Sequence, residues 1–172
     1  MAIKLELQDD QYPFTGFNHT RKVARAIALD ESGKVAIHFI HREDMFCDQT
    51  YYETPGGGVD EGETFEEALI RECDEELGAV VEVGEFIGEV IDAYNLIGRK
   101  NINRFYFAYI KKRKQKHFAS SGDQMIKDTL YLDIDEAIKL YEGMPDTLVS
   151  GLVKQRELPI LREAKRLLTK AR

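Results

Sequence analysis

The chain has 172 residues, 43% of them hydrophobic, and carries 24 Lys and Arg against 31 Asp and Glu for a formal charge of -7; this is enough for one buried core and one domain, residues 1–172, rather than two. The acidic balance excludes a general electrostatic footprint for nucleic acid, so no stable nucleic-acid partner is expected, and a polyanionic ligand needs a metal or a local basic patch. No apolar run approaches the roughly 20 residues that span a bilayer, the start MAIKLELQDD is too charged for a signal peptide, and Cys47 and Cys73 lack zinc or disulfide spacing, so a reduced cytoplasmic setting without a membrane partner is expected.

Residues 23–29 and 35–40 are short runs rich in Val, Ile and Ala, separated by Asp30-Glu31-Ser32-Gly33, and read as a β-hairpin. In the second run Val35, Ile37 and Phe39 alternate with Ala36, His38 and Ile40, the pattern of a strand buried on both faces, so His38 is expected in or near the core. Residues 64–77 read as a helix, with Thr64 as cap, Glu66 and Glu67 in the first turn and Gly78 after the last. Residues 80–91 and 104–110 are expected to pair antiparallel, joined by a loop containing Tyr94, Arg99, Lys100 and Asn101. The Lys-rich residues 111–116 fit a solvated strand end better than a phosphate site. Residues 129–132 form a further short strand, and Asp133 caps a helix that ends before Gly143. The C-terminal part is helical, with Pro159 near a helix start and Ile160, Leu161, Ala164, Leu167 and Leu168 on one apolar stripe.

Residues 55–78, PGGGVDEGETFEEALIRECDEELG, concentrate acid where a helix tolerates it least. Glu72, Glu75 and Glu76 stand at i, i+3 and i+4, so they share a face and repel one another. They also lie in the final turns, where the negative end of the helix dipole disfavours anions. Leu69, Ile70, Cys73 and Leu77 form the apolar side. Clustered carboxylates facing away from a core make sense when a hard divalent cation joins them, because Mg²⁺ prefers oxygen ligands and keeps waters that bridge to phosphate. A solvated acidic face is the plain alternative, and two neighbours weigh against it. Gly56, Gly57 and Gly58 allow backbone to approach a ligand closely, and Arg71 is spaced to hold the acids in place.

At this point the segment resembles the Nudix box: a glycine, five residues, a glutamate, seven residues, Arg-Glu, an aliphatic residue, any residue, Glu-Glu, any residue, Gly and a second aliphatic residue. Gly57, Glu63, Arg71, Glu72, Glu75, Glu76 and Gly78 all fall in register, and only Cys73 and Ala79 are smaller than usual. The resemblance implies an α+β fold, the Nudix-type α/β/α sandwich with a mixed curved β-sheet between helices, here with a C-terminal helical segment. It implies a nucleotide pyrophosphohydrolase whose box, residues 57–79, holds Mg²⁺ (Mn²⁺ as substitute). Glu72, Glu75 and Glu76 would be the metal ligands, with the carbonyl of Gly57 or a neighbouring glycine as another. Glu63 and Arg71 would orient the helix, and the base would be one of the three glutamates.

Relatives take a further acid from beyond the box, for which Asp128 is the first candidate, Asp123 the second and Glu89 a weaker one. Gly56, Gly57 and Gly58 are candidates to approach the substrate, Tyr94, Tyr51, Tyr52 and Phe17 to stack on a base, and Arg99, Lys100 and Arg104 to clamp distal phosphates. The expected substrate is a nucleoside triphosphate or related nucleotide. A dinucleoside polyphosphate, a nucleotide sugar and a noncatalytic nucleotide-sensing domain stay open, as does a homodimer.

Overall fold

The structure, a computed structural model, describes residues 2–119 and 122–172; Met1, Ser120 and Ser121 of the expected 1–172 span lie outside the described residues. Strands β1 (Ile3–Glu6), β2 (His19–Leu29), β3 (Val35–Glu43), β4 (Asp48–Glu53), β5 (Gly56–Gly58), β6 (Ala79–Tyr94), β7 (Arg99–Arg113) and β8 (Ile126–Leu132) join in one mixed sheet. Its order is β1-β6-β7-β2-β3-β4, with β5 added to β2 and β8 to β3. Helix α1 (Phe65–Leu77) covers one face, and α2 (Ile134–Glu142) and α3 (Leu148–Lys170) cover the other. This is the expected α/β/α sandwich.

Period-two alternation on the central strands builds the two cores. Ile27 and Leu29 of β2 with Phe105 and Phe107 of β7 meet Val153, Ile160 and Leu161 of α3. The intervening Ala24, Ala26, Ala28 and Ala108 face Leu69, Cys73 and Leu77 of α1, small side chains that leave room for that helix to lie on the sheet. Each buried leucine there contributes roughly 1.5–3 kcal/mol.

The hairpin expected at residues 23–40 forms only at its tip. Asp30 Oδ1 accepts the backbone N–H groups of Ser32 and Lys34, closing the turn, but Leu29 and Val35 are the registered pair of β2 and β3. Beyond it β2 is taken by β5 at Val23, Ala24 and Arg25, while β3 is taken by β4 and β8. The splayed strands leave an opening, and the cleft described below lies in it.

Three expectations are corrected. The β6–β7 pair runs from Ala79 to Arg113 with only a 3₁₀ turn, Asn95–Ile97, at its tip. Tyr94, Arg99, Lys100 and Asn101 therefore stand on strands, because Gly98 with φ 60° turns the chain in fewer residues than a loop would need. Pro159 lies inside α3, not at its start. The buried apolar positions Val149, Leu152 and Val153 before it and Ile160 and Leu161 after it lie on one continuous helix, and their burial outweighs the lost hydrogen bond. Ile70 is exposed, since Ala68, Leu69, Cys73 and Leu77 already fill the narrow stripe that meets the sheet.

Candidate functional site

Helix α1 is fixed at both ends by local chemistry. Thr64 Oγ1 accepts the Glu67 N–H at 3.1 Å and Glu67 Oε1 accepts the Thr64 N–H at 3.3 Å, a reciprocal capping box. Gly78 takes the left-handed conformation and donates its N–H to Asp74 O at 3.1 Å. No basic residue lies in the last turn, so the helix itself does nothing to compensate Glu72, Glu75 and Glu76.

Arg71 does part of that work. Its Nε and Nη2 donate to the two oxygens of Glu63 at 2.8 and 2.9 Å, a bidentate fork, and Nη2 also donates to Gly58 O at 2.9 Å. Nη1 donates to Glu72 Oε1 at 2.9 Å and lies 3.6 Å from Glu75 Oε2. One guanidinium thus ties the loop at Glu63, the glycine strand and the acidic face of α1 together. Glycine is needed opposite: a Cβ on Gly57 would run into the Glu72 carboxylate, and one on Gly56, at φ 149°, into the backbone of β2.

The acidic face opens on a cleft of about 500 Å³ bounded by β2, β3, β4, β5 and α1 and by the turn at Asp123. Oxygens of Glu72, Glu75 and Asp123 all lie within 4.8 Å of one another. Glu76 goes deeper: it accepts the Gly56 N–H at 2.9 Å and lies 3.2 Å from His38 Nε2, whose Nδ1 meets Thr129 Oγ1 at 2.9 Å. Burial raises the carboxyl pKa of Glu72 against the pull of Arg71, and raises that of Glu76 well above the ordinary value, with Glu72 adding to it. Burial likewise lowers His38 to about 4, so the ring is neutral at pH 7. The donor set is all oxygen, clustered and penalised for its charge, which is the environment a hard divalent cation relieves.

Of the sequence candidates, Gly56, Gly57, Gly58, Arg71, Glu72, Glu75, Glu76, Tyr51, Tyr94, Arg99 and Asp123 line this cleft, and Glu63 reaches it through Arg71. Others do not. Asp128, the first choice for an added acid, is exposed and bonded to the Thr129 N–H, whereas Asp123, the second, stands with the glutamates. Arg104 is bonded to Glu89 at 2.9 Å and stacked on Phe65 at the start of α1, and neither it nor Glu89 lines the cleft. Phe17 and Lys100 border a separate cavity with Phe14, and Tyr52 packs on Phe39.

A buried ionic network behind the cleft went unread in the sequence. Glu53 accepts from Arg25 Nη2 and Arg156 Nη2, each at 2.7 Å. Glu157 Oε2 accepts from Arg156 at 2.7 Å, and its Oε1 accepts the Thr54 N–H at 2.8 Å and the Tyr141 hydroxyl at 2.7 Å. Arg156 Nη1 donates to the Tyr94 hydroxyl at 2.9 Å. This network pins the chain at Thr54, just before the glycine strand, to α3. The available signal is an Arg-Glu pair interrupting the apolar stripe of that helix.

The chain belongs to the Nudix family: the family model described as NUDIX domain matches residues 19–155. The fold agrees with that match, since solved Nudix structures share it. A Bacillus subtilis (strain 168) protein, YtkD, named as a candidate 8-oxo-dGTP diphosphatase, is 36% identical over 75 residues, 41% of this chain and 45% of that protein, so the match spans under half of the relative. A NUDIX hydrolase from Nitrosomonas europaea shares the fold with a TM-score of 0.63 at 16% identity, over 85% of this chain and 88% of the other. A MutT protein from Methanosarcina mazei Go1 does so at 0.62 and 15%, over 90% and 97%. Among the described residues no helix is long and apolar enough to cross a membrane.

Proposed function

We propose that this chain, acting as one Nudix unit over residues 1–172, hydrolyses a phosphoanhydride bond of a nucleoside triphosphate or related nucleotide with the help of Mg²⁺, Mn²⁺ serving as a substitute. The observation that carries this reading is the convergence of Glu72, Glu75 and Asp123 within 4.8 Å on one wall of a cleft floored by glycine backbone. These three carboxylates would hold the ion, with the Gly57 carbonyl as a further donor. Bound there, it supplies neutralisation of the diphosphate charge. Arg71 holds Glu72 and the Gly58 carbonyl in place, and Glu63 holds Arg71. Glu76, bonded to the Gly56 N–H, sets the glycine strand against the helix. The carboxylate of Glu75, the least buried of the three box glutamates, takes the proton from the attacking water. The unpaired Cys47 and Cys73 support action in the cytoplasm, and the name of the B. subtilis relative makes 8-oxo-dGTP the first candidate substrate.

The test is a panel of 8-oxo-dGTP, ordinary nucleoside triphosphates, dinucleoside polyphosphates, nucleotide sugars and ADP-ribose, assayed with Mg²⁺ for the wild type and Glu75→Gln. Turnover of a triphosphate that falls at least a hundredfold in the variant is expected. Undiminished hydrolysis would contradict the assigned carboxylates, and no turnover of any member would favour a nucleotide-sensing domain.

A further inference from the structure

The cleft has a second pole that the carboxylates do not use. Arg21 of β2 and Arg99 of β7 both line it. The parallel register sets His19 beside Arg99 and Arg21 beside Asn101, so the two arginines are diagonal neighbours on one face of adjacent strands. Other cations of the cleft are committed: Arg25 to Glu53, Arg42 to Asp44, Arg71 to Glu63. Among the described residues, Arg21 and Arg99 make no ion pair with a carboxylate.

Both are nevertheless held in place. The Arg99 guanidinium lies 5.4 Å from the centre of the Tyr94 ring, whose hydroxyl is fixed by Arg156, and the Arg99 Nε is sealed from solvent with no acceptor among the described residues. The Arg21 guanidinium lies against the glycine strand, where a Cβ on Gly58 would come within 2.7 Å of its Nη2. Gly58 thus makes room for a cation as Gly57 makes room for Glu72. Burial, joined by repulsion from Arg25 for Arg21 and from Arg21 for Arg99, lowers both guanidinium pKa values. Two positioned, mutually repelling guanidinium forks with free N–H donors suit an oxyanion of high charge.

We propose that Arg21 and Arg99 form an anion subsite for a phosphate beyond the diphosphate held at Glu72, Glu75 and Asp123, which selects nucleotides with three or more linked phosphates over diphosphates joined to a neutral sugar. This rests on the hydrolase reading above for its substrate, and on the arginine pair alone for anion binding. In a nucleotide sugar both phosphates are taken by the carboxylate pole, and neutral hydroxyls face the arginines. A triphosphate places a charged phosphoryl group there.

The test has two limbs. In the first, inorganic tripolyphosphate and pyrophosphate are titrated calorimetrically into the metal-free protein with EDTA at fixed ionic strength, for wild type, Arg21→Ala, Arg99→Ala and Arg99→Lys. Tighter binding of tripolyphosphate is expected, weakened roughly ten- to hundredfold by each alanine, as for loss of a charge-assisted hydrogen bond, and partly kept by lysine. In the second, the ratio of kcat/KM for a nucleoside triphosphate to that for a nucleotide sugar, with Mg²⁺, is expected to fall at least tenfold in Arg21→Ala. Thermal melts verify the fold; Arg21, which has no ion-pair partner to lose among the described residues, carries the test if Arg99→Ala unfolds. Tripolyphosphate binding within twofold of wild type in folded Arg21→Ala, or equal losses on both substrates, would overturn the subsite. Absence of any turnover would strike the hydrolase reading and leave the first limb to decide on the arginines.

Discussion

Gly57→Ala separates the site from the fold. The Gly57 backbone does not need a positive φ, so alanine is conformationally allowed, unlike at Gly56. An added Cβ would nevertheless sit 2.6 Å from Glu72 Cδ and 2.9 Å from its Oε2, where ordinary contact begins at 3.4 Å. Glu72 Oε1 is the nearest atom of all, so the carboxylate must retreat by more than the 0.8 Å that separates 2.6 from 3.4 Å at Cδ, about 1 Å. It is the end of a flexible side chain, so the protein accommodates the change at little cost in stability. Function is less tolerant: the bond from Arg71 Nη1, now 2.9 Å, stretches, and Glu72 leaves its spacing with Glu75 and Asp123. A displacement near 1 Å at a reacting centre costs roughly a hundredfold, or about 2.7 kcal/mol of barrier. Steady-state kinetics with Mg²⁺ on the best substrate, beside a circular dichroism melt, are expected to give kcat/KM down about a hundredfold with a nearly unchanged melting temperature. A folded variant within about threefold of wild type would refute the placement of Glu72 against Gly57.

Glu53→Gln probes the buried ionic network through pH. Burial opposes ionisation of Glu53, but Arg25, Arg156 and Arg42 outweigh it and lower its pKa from 4.5 to about 2. A depressed carboxyl stabilises the fold fully above pH 4.5 and loses that contribution as pH falls toward 2; the gap corresponds to about 3 kcal/mol. Urea unfolding of wild type and variant is thus expected to differ by about 3 kcal/mol less at pH 2 than at pH 7, and a pH-independent difference would contradict the pairing. Tyr141→Phe removes the hydroxyl that donates to Glu157 at 2.7 Å while leaving the Thr54 N–H bond. It is expected to cost about 1.5–3 kcal/mol in urea unfolding at pH 7, and a loss below roughly 0.5 kcal/mol would mean that Glu157 does not depend on that bond.

What the sequence reveals follows from how local each signal is. The capping box at Thr64, the turn at Asp30 and the glutamate register of α1 depend on neighbours within a few residues, and all are readable from the chain. Asp123 and Asp128 are five positions apart and chemically alike; their separation into cleft and surface depends on the 3₁₀ turn at Asp123 and on β8 pairing with β3. His38 reads correctly as buried, yet its contact with Glu76 requires β3 and α1 to meet. The Arg25, Glu53, Arg156 and Glu157 network joins residues up to 132 positions apart in sequence, from 25 to 157. No period marks it, except as charge where α3 should be apolar. Tyr94 and Arg99 are flagged by type, but their strand setting depends on a hairpin tip shorter than expected.

The central claim is that Glu72, Glu75 and Asp123 form one divalent-metal site. Calorimetric titration of Mn²⁺ into the metal-free protein, wild type beside Glu75→Gln and Asp123→Asn, tests it without any substrate. Binding that weakens at least tenfold in each folded variant is the expected result, because each change removes an anionic ligand. Binding that is unchanged when either carboxylate is neutralised would contradict the account.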